Sequence, residues 1–262
     1  MIRKSYPKRL GGANPPSSPH IELMDIKNNE KAATTDLRLA SYNLRKCRGT
    51  DGHRAPGRIL DVINGIEADV VALQEVDMRL GPRPAALPSR MIETHTDFMP
   101  VPAATSPVSV GWHGNAILVR KSAKVERVER LDLPGLEPRG AVLMDLENMR
   151  VIGVHLGLLR ANRQKQLHAI RNALKDMDMR PTVILGDFNE WSRTGGLSPL
   201  KDDFDVIAPG RSFHAARPMA ALDRIALGPS IELRDAGVVE TDLSRRASDH
   251  LPIWADLRLP RA

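Results

Sequence analysis

Apolar and polar residues alternate regularly along most of this chain, but two segments lack such a pattern. Residues 1–36 mix prolines, glycines, serines and charges, which predicts a flexible extension. Residues 78–112 are rich in proline, which predicts a long loop over the surface. From residue 37 a strand pattern begins, and the last strand pattern lies close to the final residue. One folded domain over residues 37–262 is therefore predicted.

The patterned part contains the same order of elements twice, and each occurrence is a strand, a helix and a second strand. The first occurrence covers residues 37–43, 58–67 and 69–75, and the second covers 151–155, 162–177 and 182–185. Further strands are predicted at residues 115–120, 140–146, 222–227 and 251–257. Two sheets packed face to face, with helices outside, would bring the strand ends of both units to one cleft.

Polar side chains follow the apolar runs at six places where predicted strands end. They are Asn43, Glu75, His155, Asp187 with Asn189, Asp223, and Asp249 with His250. Taken singly, each has a structural explanation, such as a hydrogen bond in a turn or a helix cap. Burying an unpaired acid is costly, however. A series of acids beside buried strands therefore implies a shared cation or shared imidazoles.

Two of these segments carry the clearest chemical signal. Residues 183–189 read VILGDFN, and residues 247–253 read ASDHLPI. Carboxylate and amide oxygens are hard ligands for Mg²⁺ or Mn²⁺, and a nearby imidazole can move protons or stabilise an oxyanion. The two segments together predict metal-assisted hydrolysis.

The composition adds a bias toward anionic partners. The 262 residues are 42% hydrophobic and 27% charged, as in ordinary globular proteins. The net charge of +6 favours nucleic acids, phospholipid headgroups or phosphorylated metabolites without choosing among them. The single cysteine, Cys47, excludes an intramolecular disulfide and a cysteine-rich zinc site. No apolar stretch reaches the length of a membrane span or forms a signal peptide, so a cytoplasmic protein is expected.

Seven short segments resemble the endonuclease/exonuclease/phosphatase superfamily, which includes deoxyribonuclease I. They are residues 41–44 (SYNL), 73–77 (LQEVD), 114–118 (GNAIL), 154–156 (VHL), 186–189 (GDFN), 222–225 (LDRI) and 248–252 (SDHLP). The resemblance is closest to a small bacterial subgroup of undefined substrate. It implies an α/β four-layer sandwich, in which helices flank two packed mixed β-sheets. It also implies cleavage of phosphate esters with a divalent metal, Mg²⁺ or Mn²⁺.

The resemblance implies which residues serve the metal and the attacking water. Glu75 would be a metal ligand, and Asn43 would orient its carboxylate or share the metal. Asp249 would join a second metal position or bond a metal-bound water. Asp187 corresponds to the base that activates water in the family. Asn189 would hold that water or a phosphate oxygen.

The resemblance also implies how the phosphate is held. His250 would bond a non-bridging phosphate oxygen, and Asp223 would fix its tautomer. His155 stands where deoxyribonuclease I and the sphingomyelinases carry histidine and abasic-site endonucleases carry tyrosine. This difference argues against abasic-site repair and predicts a proton donor or a phosphate ligand. Arg139 is expected at the surface, with a place in the cleft as the alternative.

The leading interpretation is a phosphodiesterase that acts on a nucleic-acid, phospholipid or other phosphorylated substrate. A nuclease favours aromatic residues for base stacking, but aromatics make up only 3% of this chain. A lipid enzyme usually carries an apolar insertion, and residues 78–112 are only mildly apolar. Two alternatives remain, a phosphomonoesterase of the same superfamily and a non-catalytic binding protein that keeps the fold. The second is disfavoured because every candidate catalytic residue is present.

Overall fold

Two six-stranded β-sheets form the centre of the protein, seen in a computed structural model that describes residues 34–192 and 195–260. The strands are β1 (Thr34–Asn43), β2 (Val70–Gln74), β3 (Phe98–Pro100), β4 (Ala116–Arg120), β5 (Val125–Leu133), β6 (Arg139–Leu146), β7 (Met149–His155), β8 (Thr182–Asp187), β9 (Asp205–Ile207), β10 (Asp223–Leu227), β11 (Glu232–Val238) and β12 (Ile253–Pro260). The α-helices are α1 (Pro56–Ile66), α2 (Ser89–His95), α3 (Arg160–Lys175) and α4 (Asp242–Ala247). Short 3₁₀ turns cover Arg45–Cys47 and Ser198–Leu200.

Each sheet contains one of the two predicted strand–helix–strand units. The first sheet has the order β11-β12-β1-β2-β4-β3, and the second has the order β5-β6-β7-β8-β10-β9. Strands β1 and β2 pair in parallel, as do β7 and β8. Parallel strands end at the same edge, so the register places Asn43 beside Gln74 and His155 beside Asp187. This arrangement delivers polar side chains from both sheets to one cleft.

Apolar side chains fill three layers between the four layers of secondary structure. The central cluster joins the two sheets through residues such as Leu39 of β1 and Leu185 of β8. An outer cluster packs α1 on the first sheet, and another packs α3 on the second sheet. Strands β2, β4, β7 and β8 are buried on both faces, which explains their nearly continuous apolar runs, whereas β12 alternates between buried and partly exposed residues. The predicted four-layer α/β sandwich is confirmed.

The proline-rich segment contains more regular structure than the sequence predicted. Helix α2 and the short strand β3 both lie within residues 78–112, and β3 pairs with β4. The buried carboxylate of Asp77 accepts hydrogen bonds from the backbone N–H groups of Val110 and Gly111, at 2.9 and 3.1 Å. These bonds fix the end of the segment beside the cleft.

The first strand begins earlier than the sequence predicted. Strand β1 starts at Thr34 rather than at residue 37, and Thr34–Asp36 pair with the end of β12. The remainder of the predicted extension, residues 1–33, lies outside the described residues. Within the described part of the chain, every helix is too short or too polar to cross a membrane.

Candidate active site

Asp187 is the point at which the polar residues of the cleft converge. It ends β8 with only 2% of its surface exposed. Its Oδ2 atom lies 3.0 Å from Asn43 Nδ2, 3.4 Å from His155 Nε2 and 3.7 Å from His250 Nε2. Its Oδ1 atom accepts the backbone N–H of Asn189 at 2.9 Å. The end of β1 in the first sheet thus meets the ends of β7 and β8 in the second.

A buried hydrogen-bond chain fixes the ring of His250. The Nδ1 atom of His250 lies 2.9 Å from Asp223 Oδ2, and the hydroxyl of Ser212 donates to that same oxygen. The hydrogen bond from Nδ1 to Asp223 fixes the orientation of the ring, and in this orientation Nε2 of His250 faces Asp187. Phe213 packs on the His250 ring with centroids 5.0 Å apart, and Trp191 packs on Phe213 at 6.0 Å. An aromatic wall therefore borders this side of the cleft.

The shared burial of these groups changes their protonation. Burial raises the pKa of Asp187 to about 6, although His250 opposes the change. Burial lowers the pKa of His250, but the carboxylates of Asp223 and Asp187 outweigh it and raise that pKa to about 10. For His155, burial and the nearby Arg139 hold the pKa well below its usual range. The site thus combines a charged imidazole with a neutral one.

Glu75 and Asp249 lie beside basic side chains at the same edge of the fold. The ammonium of Lys46 contacts the carboxylate of Glu75, and Arg45 Nε lies 3.2 Å from Asp249 Oδ2. Arg45 and Lys46 follow Asn43 after one intervening residue, Leu44, and both have positive φ, as does Cys47. This left-handed turn is uncommon for residues other than glycine. It directs two cations toward the two carboxylates.

Helix α3 holds the loops that carry Asn189. The buried Arg163 donates to the carbonyls of Gly157 and Leu158, and to the carboxylate of Glu190 at 2.8 Å. Asn189 in turn donates from Nδ2 to the carbonyl of Leu156 at 2.9 Å. The loops after β7 and β8 are thereby tied to each other and to the helix.

The comparison with known families identifies the chain. The model of the Endonuclease/Exonuclease/phosphatase family matches residues 40–250. The chain belongs to this family. Members of the family hydrolyse phosphate esters, and they generally use divalent metal ions. No curated protein matches the sequence.

Solved structures of the same fold support the assignment. A Bacteroides thetaiotaomicron endonuclease/exonuclease/phosphatase family protein has a TM-score of 0.70 at 16% identity, over 87% of this chain and 96% of the other. A mannosyl-6-phosphatase from the same organism has a TM-score of 0.66 at 16% identity, over 84% and 99%. TDP2 of D. rerio, complexed with a single-strand DNA product, has a TM-score of 0.65 at 16% identity, over 85% and 99%.

The candidate metal ligands fit the family's divalent ion by their donor chemistry. Glu75 follows β2, Asn43 ends the parallel neighbour β1, and their carboxylate and amide oxygens suit Mg²⁺ or Mn²⁺. Within residues 34–192 and 195–260, however, no three His, Cys, Asp or Glu side chains cluster closely enough to hold a metal. Lys46 is the positive partner of Glu75 in this arrangement. A metal at Glu75 therefore has to replace the Lys46 ammonium.

Several residues that shape the site were not predicted from the sequence. Lys46 and Arg45 are among them, although two adjacent basic residues just after Asn43-Leu44 were a visible signal. Ser212 was missed because nothing in its local sequence indicates that it reaches Asp223. Arg139, expected at the surface, is only 7% exposed and lines a cavity together with His155. Its position at the start of a buried strand explains the difference.

Proposed function

We propose that this protein is a metal-dependent phosphodiester hydrolase in which Asp187 prepares the attacking water. The observation that carries the proposal is the convergence of Asn43, His155 and His250 on one oxygen of a buried aspartate. A purely structural aspartate needs one or two partners. Two imidazoles and an amide around one carboxylate instead form a set of proton carriers and phosphate ligands.

Each residue then has a role that follows from its contacts. Asp187 accepts the proton of the water. The side-chain amide of Asn43 and the backbone N–H of Asn189 donate to the Asp187 carboxylate and hold it in place. His250, charged and fixed by Asp223, donates from Nε2 to a non-bridging phosphate oxygen, where negative charge develops. His155, held neutral by burial, would donate a hydrogen bond from a ring N–H to a second phosphate oxygen. The alternative role of proton donor would require a charged ring. The Asn189 amide is a further donor to the water or the phosphate, because its loop is fixed by α3.

Glu75, Asn43 and Asp249 are the residues that would hold the metal, Mg²⁺ or Mn²⁺. When bound, the ion supplies Lewis-acid polarisation of the phosphoryl group. With a metal at Glu75, the Lys46 ammonium would be available to bind an anionic substrate. Asp249 keeps Arg45 nearby at 3.2 Å, so this side of the site stays positive.

The proposed substrate is an anionic phosphodiester, either a nucleic acid or a phospholipid headgroup. The net charge of +6 supports an anionic partner, and a family neighbour was solved with a DNA product. Trp191 is 64% exposed beside the site and is available to stack on a base, whereas Tyr42 is fully buried. The proposal includes the cytoplasmic location that the sequence predicts. A phosphomonoesterase is the competing activity, as in the mannosyl-6-phosphatase neighbour.

Hydrolysis of two chromogenic esters tests the proposal. With Mg²⁺ or Mn²⁺, the protein should release p-nitrophenol from bis-p-nitrophenyl phosphate faster than from the monoester p-nitrophenyl phosphate, and EDTA should abolish the activity. Asp187→Asn should lower kcat by about 10² to 10⁴-fold, the usual contribution of a general base. Preference for the monoester would favour the phosphomonoesterase. No turnover of either ester in a folded protein would favour the non-catalytic alternative.

A further inference from the structure

A cavity of 230 Å³ opens from the active site on the side of His155. It lies between the loop after β2, the start of β6 and the end of β7. Its basic lining residues are Lys46, Arg79, Arg83, His113 and Arg139, with His155 at the inner end. The cavity therefore extends the site by a space whose lining includes four Lys or Arg side chains beside three carboxylates.

The acids that line the cavity already have partners. Glu75 contacts Lys46, and Glu137 accepts from Arg139 Nη2 at 2.7 Å. Asp77 accepts two backbone N–H groups instead of pairing with an arginine. Within residues 34–192 and 195–260, Arg79 and Arg83 form no ion pair. Neither arginine is thus held in a close ion pair, although the charge of Arg83 opposes the burial that raises the pKa of Asp77.

Arg139 provides an independent sign of a missing partner. Its side chain is 7% exposed, and its buried Nε atom has no hydrogen-bond partner in the described part of the chain. A buried donor without an acceptor is costly, so this Nε atom would gain from an acceptor such as a bound water or anion, as would the Nε atoms of Arg58, Arg163 and Arg171. The charge of Arg139 also reaches His155, whose pKa it helps to lower. Arg139 therefore lines the cavity and acts electrostatically on His155 in the candidate site.

The loop that carries Arg83 is held in a defined conformation. Arg83 Nη1 donates to Nδ1 of His113 at 3.1 Å, because a guanidinium can only donate. The backbone of Asp77 bridges to Ala85, which closes the loop on itself. The guanidinium groups are thus partly positioned before any ligand arrives, which reduces the entropy lost on binding.

Resting on the proposed function, we infer that this cavity binds a second phosphate of the substrate, next to the phosphate that is cleaved. Three guanidinium groups suit the geometry and charge of a phosphate, which accepts paired N–H donors. The volume of the cavity leaves room for the group that links the two phosphates. Substrates with a second phosphate should therefore bind more tightly than substrates with one.

Two matched chromogenic diesters test this inference. One is the p-nitrophenyl ester of thymidine 5′-phosphate, and the other carries an additional 3′-phosphate. The wild-type protein should show a KM for the second ester that is lower by about 10-fold or more, since charge-assisted hydrogen bonds contribute about 1.5–3 kcal/mol. An analogue with a 3′-methyl phosphate, which resembles a continuing nucleic-acid strand, shows whether the second phosphate is a diester or a terminal monoester.

The variants Arg79→Ala and Arg83→Ala should remove the preference while leaving kcat and KM for the singly phosphorylated ester near wild type. Arg79 is exposed, so its variant tests the inference even if Arg83→Ala disturbs the loop. Arg234→Ala is the control, because Arg234 lies on the edge strand β11 and pairs with Glu232 at 2.5 Å. Equal KM values for the two esters in the wild type, or equal losses on both esters in the variants, would overturn the inference.

A binding measurement separates this inference from the proposed function. Calorimetry without added metal should show tighter binding of thymidine 3′,5′-bisphosphate than of thymidine 5′-phosphate, and Arg79→Ala should remove the difference. If no ester is hydrolysed but this difference is present, the proposed function fails and the anion-binding cavity stands. Turnover of the simple diester with no difference between the two nucleotides contradicts the cavity alone.

Discussion

His250 lies between two buried carboxylates, and only one of them fixes its ring. Asp223 bonds Nδ1 at 2.9 Å, whereas Asp187 lies 3.7 Å from Nε2. Asp223 therefore fixes the ring of His250, and its charge also helps to raise the pKa of Asp187. Asp187 instead faces the space where water and phosphate would meet.

The hydrogen bond between Asp223 and His250 predicts that the effects of their substitutions on kcat are not additive. His250→Ala should lower kcat by about 10²–10³-fold, the range for loss of one donor to a developing charge. Asp223→Asn should lower kcat by less, because the ring remains but loses its orientation. The double variant should be little slower than His250→Ala alone. Steady-state kinetics on bis-p-nitrophenyl phosphate measures all three, and multiplicative losses would show that the two residues act independently.

Tyr42 directly precedes the candidate residue Asn43 in the sequence, but its side chain lies away from the cleft. It is fully buried in the cluster between α1 and the first sheet, and its hydroxyl has no hydrogen-bond partner among the described residues. Tyr42→Phe should therefore raise the free energy of unfolding by about 1 kcal/mol, because it removes an unsatisfied buried group.

The effect of Tyr42→Phe should grow at alkaline pH. Burial raises the pKa of Tyr42 far above its usual range, whereas the unfolded phenol ionises near pH 10. The unfolded state then holds fewer protons, so wild-type stability falls as pH rises above about 10. Urea titrations at pH 8 and pH 10.5 measure both effects. A less stable variant at both values would show that the hydroxyl has a partner, such as a buried water.

The positions of the candidate catalytic and metal-binding residues could be predicted from the sequence, but the side chains that they contact could not. Apolar runs that end in Asn43, His155 or Asp187 indicate strand ends, and parallel pairing brings such ends together. The contacts of Lys46 and Arg45 depend on a left-handed turn that no residue preference favours. The implied roles of the eight candidate residues stay predictions.

At the scale of whole elements, burial explains which strands the sequence revealed. All eight interior strands were predicted, and the four missed strands, β3, β5, β9 and β11, are the four sheet edges. Most interior strands are covered on both faces and appear as apolar runs, and β12 shows the alternation of a half-buried strand. Edge strands are short or charged, as in VERVERLDL of β5, which also limits unwanted pairing between molecules. Their sequences consequently resemble loops.

Helix α3 has an unusual buried charge, which gives an element-scale prediction. The side chains of Arg163 and Glu190 are 5% and 3% exposed and bond at 2.8 Å. Arg163→Gln leaves Glu190 with the exposed Arg160 at 3.7 Å and the backbone N–H of Ser192 at 2.8 Å, and it should lower the free energy of unfolding by about 3–5 kcal/mol.

The double variant Arg163→Gln with Glu190→Gln is the matched control for this ion pair. It removes both charges, so urea unfolding should show a recovery of most of the loss. Turnover should be lower than wild type in both the single and the double variant, because the carbonyls of Gly157 and Leu158 lose a donor and the Asn189 loop loosens. Equal stability of the single and double variants would contradict a role for the buried charge itself.

At the scale of the molecule, the two sheets are joined by apolar packing and by the site itself. Asn43 reaches from the first sheet to Asp187 in the second. The hydroxyl of Ser248, which precedes β12, donates to the carbonyl of Asn43 at 2.7 Å. The sequence predicted two strand–helix–strand units facing one cleft. It could not give the register of β1 against β12, which decides where the folded domain begins.

We propose that the domain begins at Thr34, which predicts different results for two truncations. Residues Thr34–Asp36 pair with Arg258–Pro260, and Asp36 binds Arg258 at 2.8 Å. Removal of residues 1–36 should therefore give a folded protein that is less stable than one lacking residues 1–33, by about 1–2 kcal/mol from the lost strand hydrogen bonds. Urea unfolding of both truncations measures the difference. Asp36→Asn in the longer protein separates the exposed ion pair, which should contribute little, from the backbone pairing. Identical unfolding midpoints for the two truncations would place the start of the domain at residue 37, as the sequence pattern alone predicted.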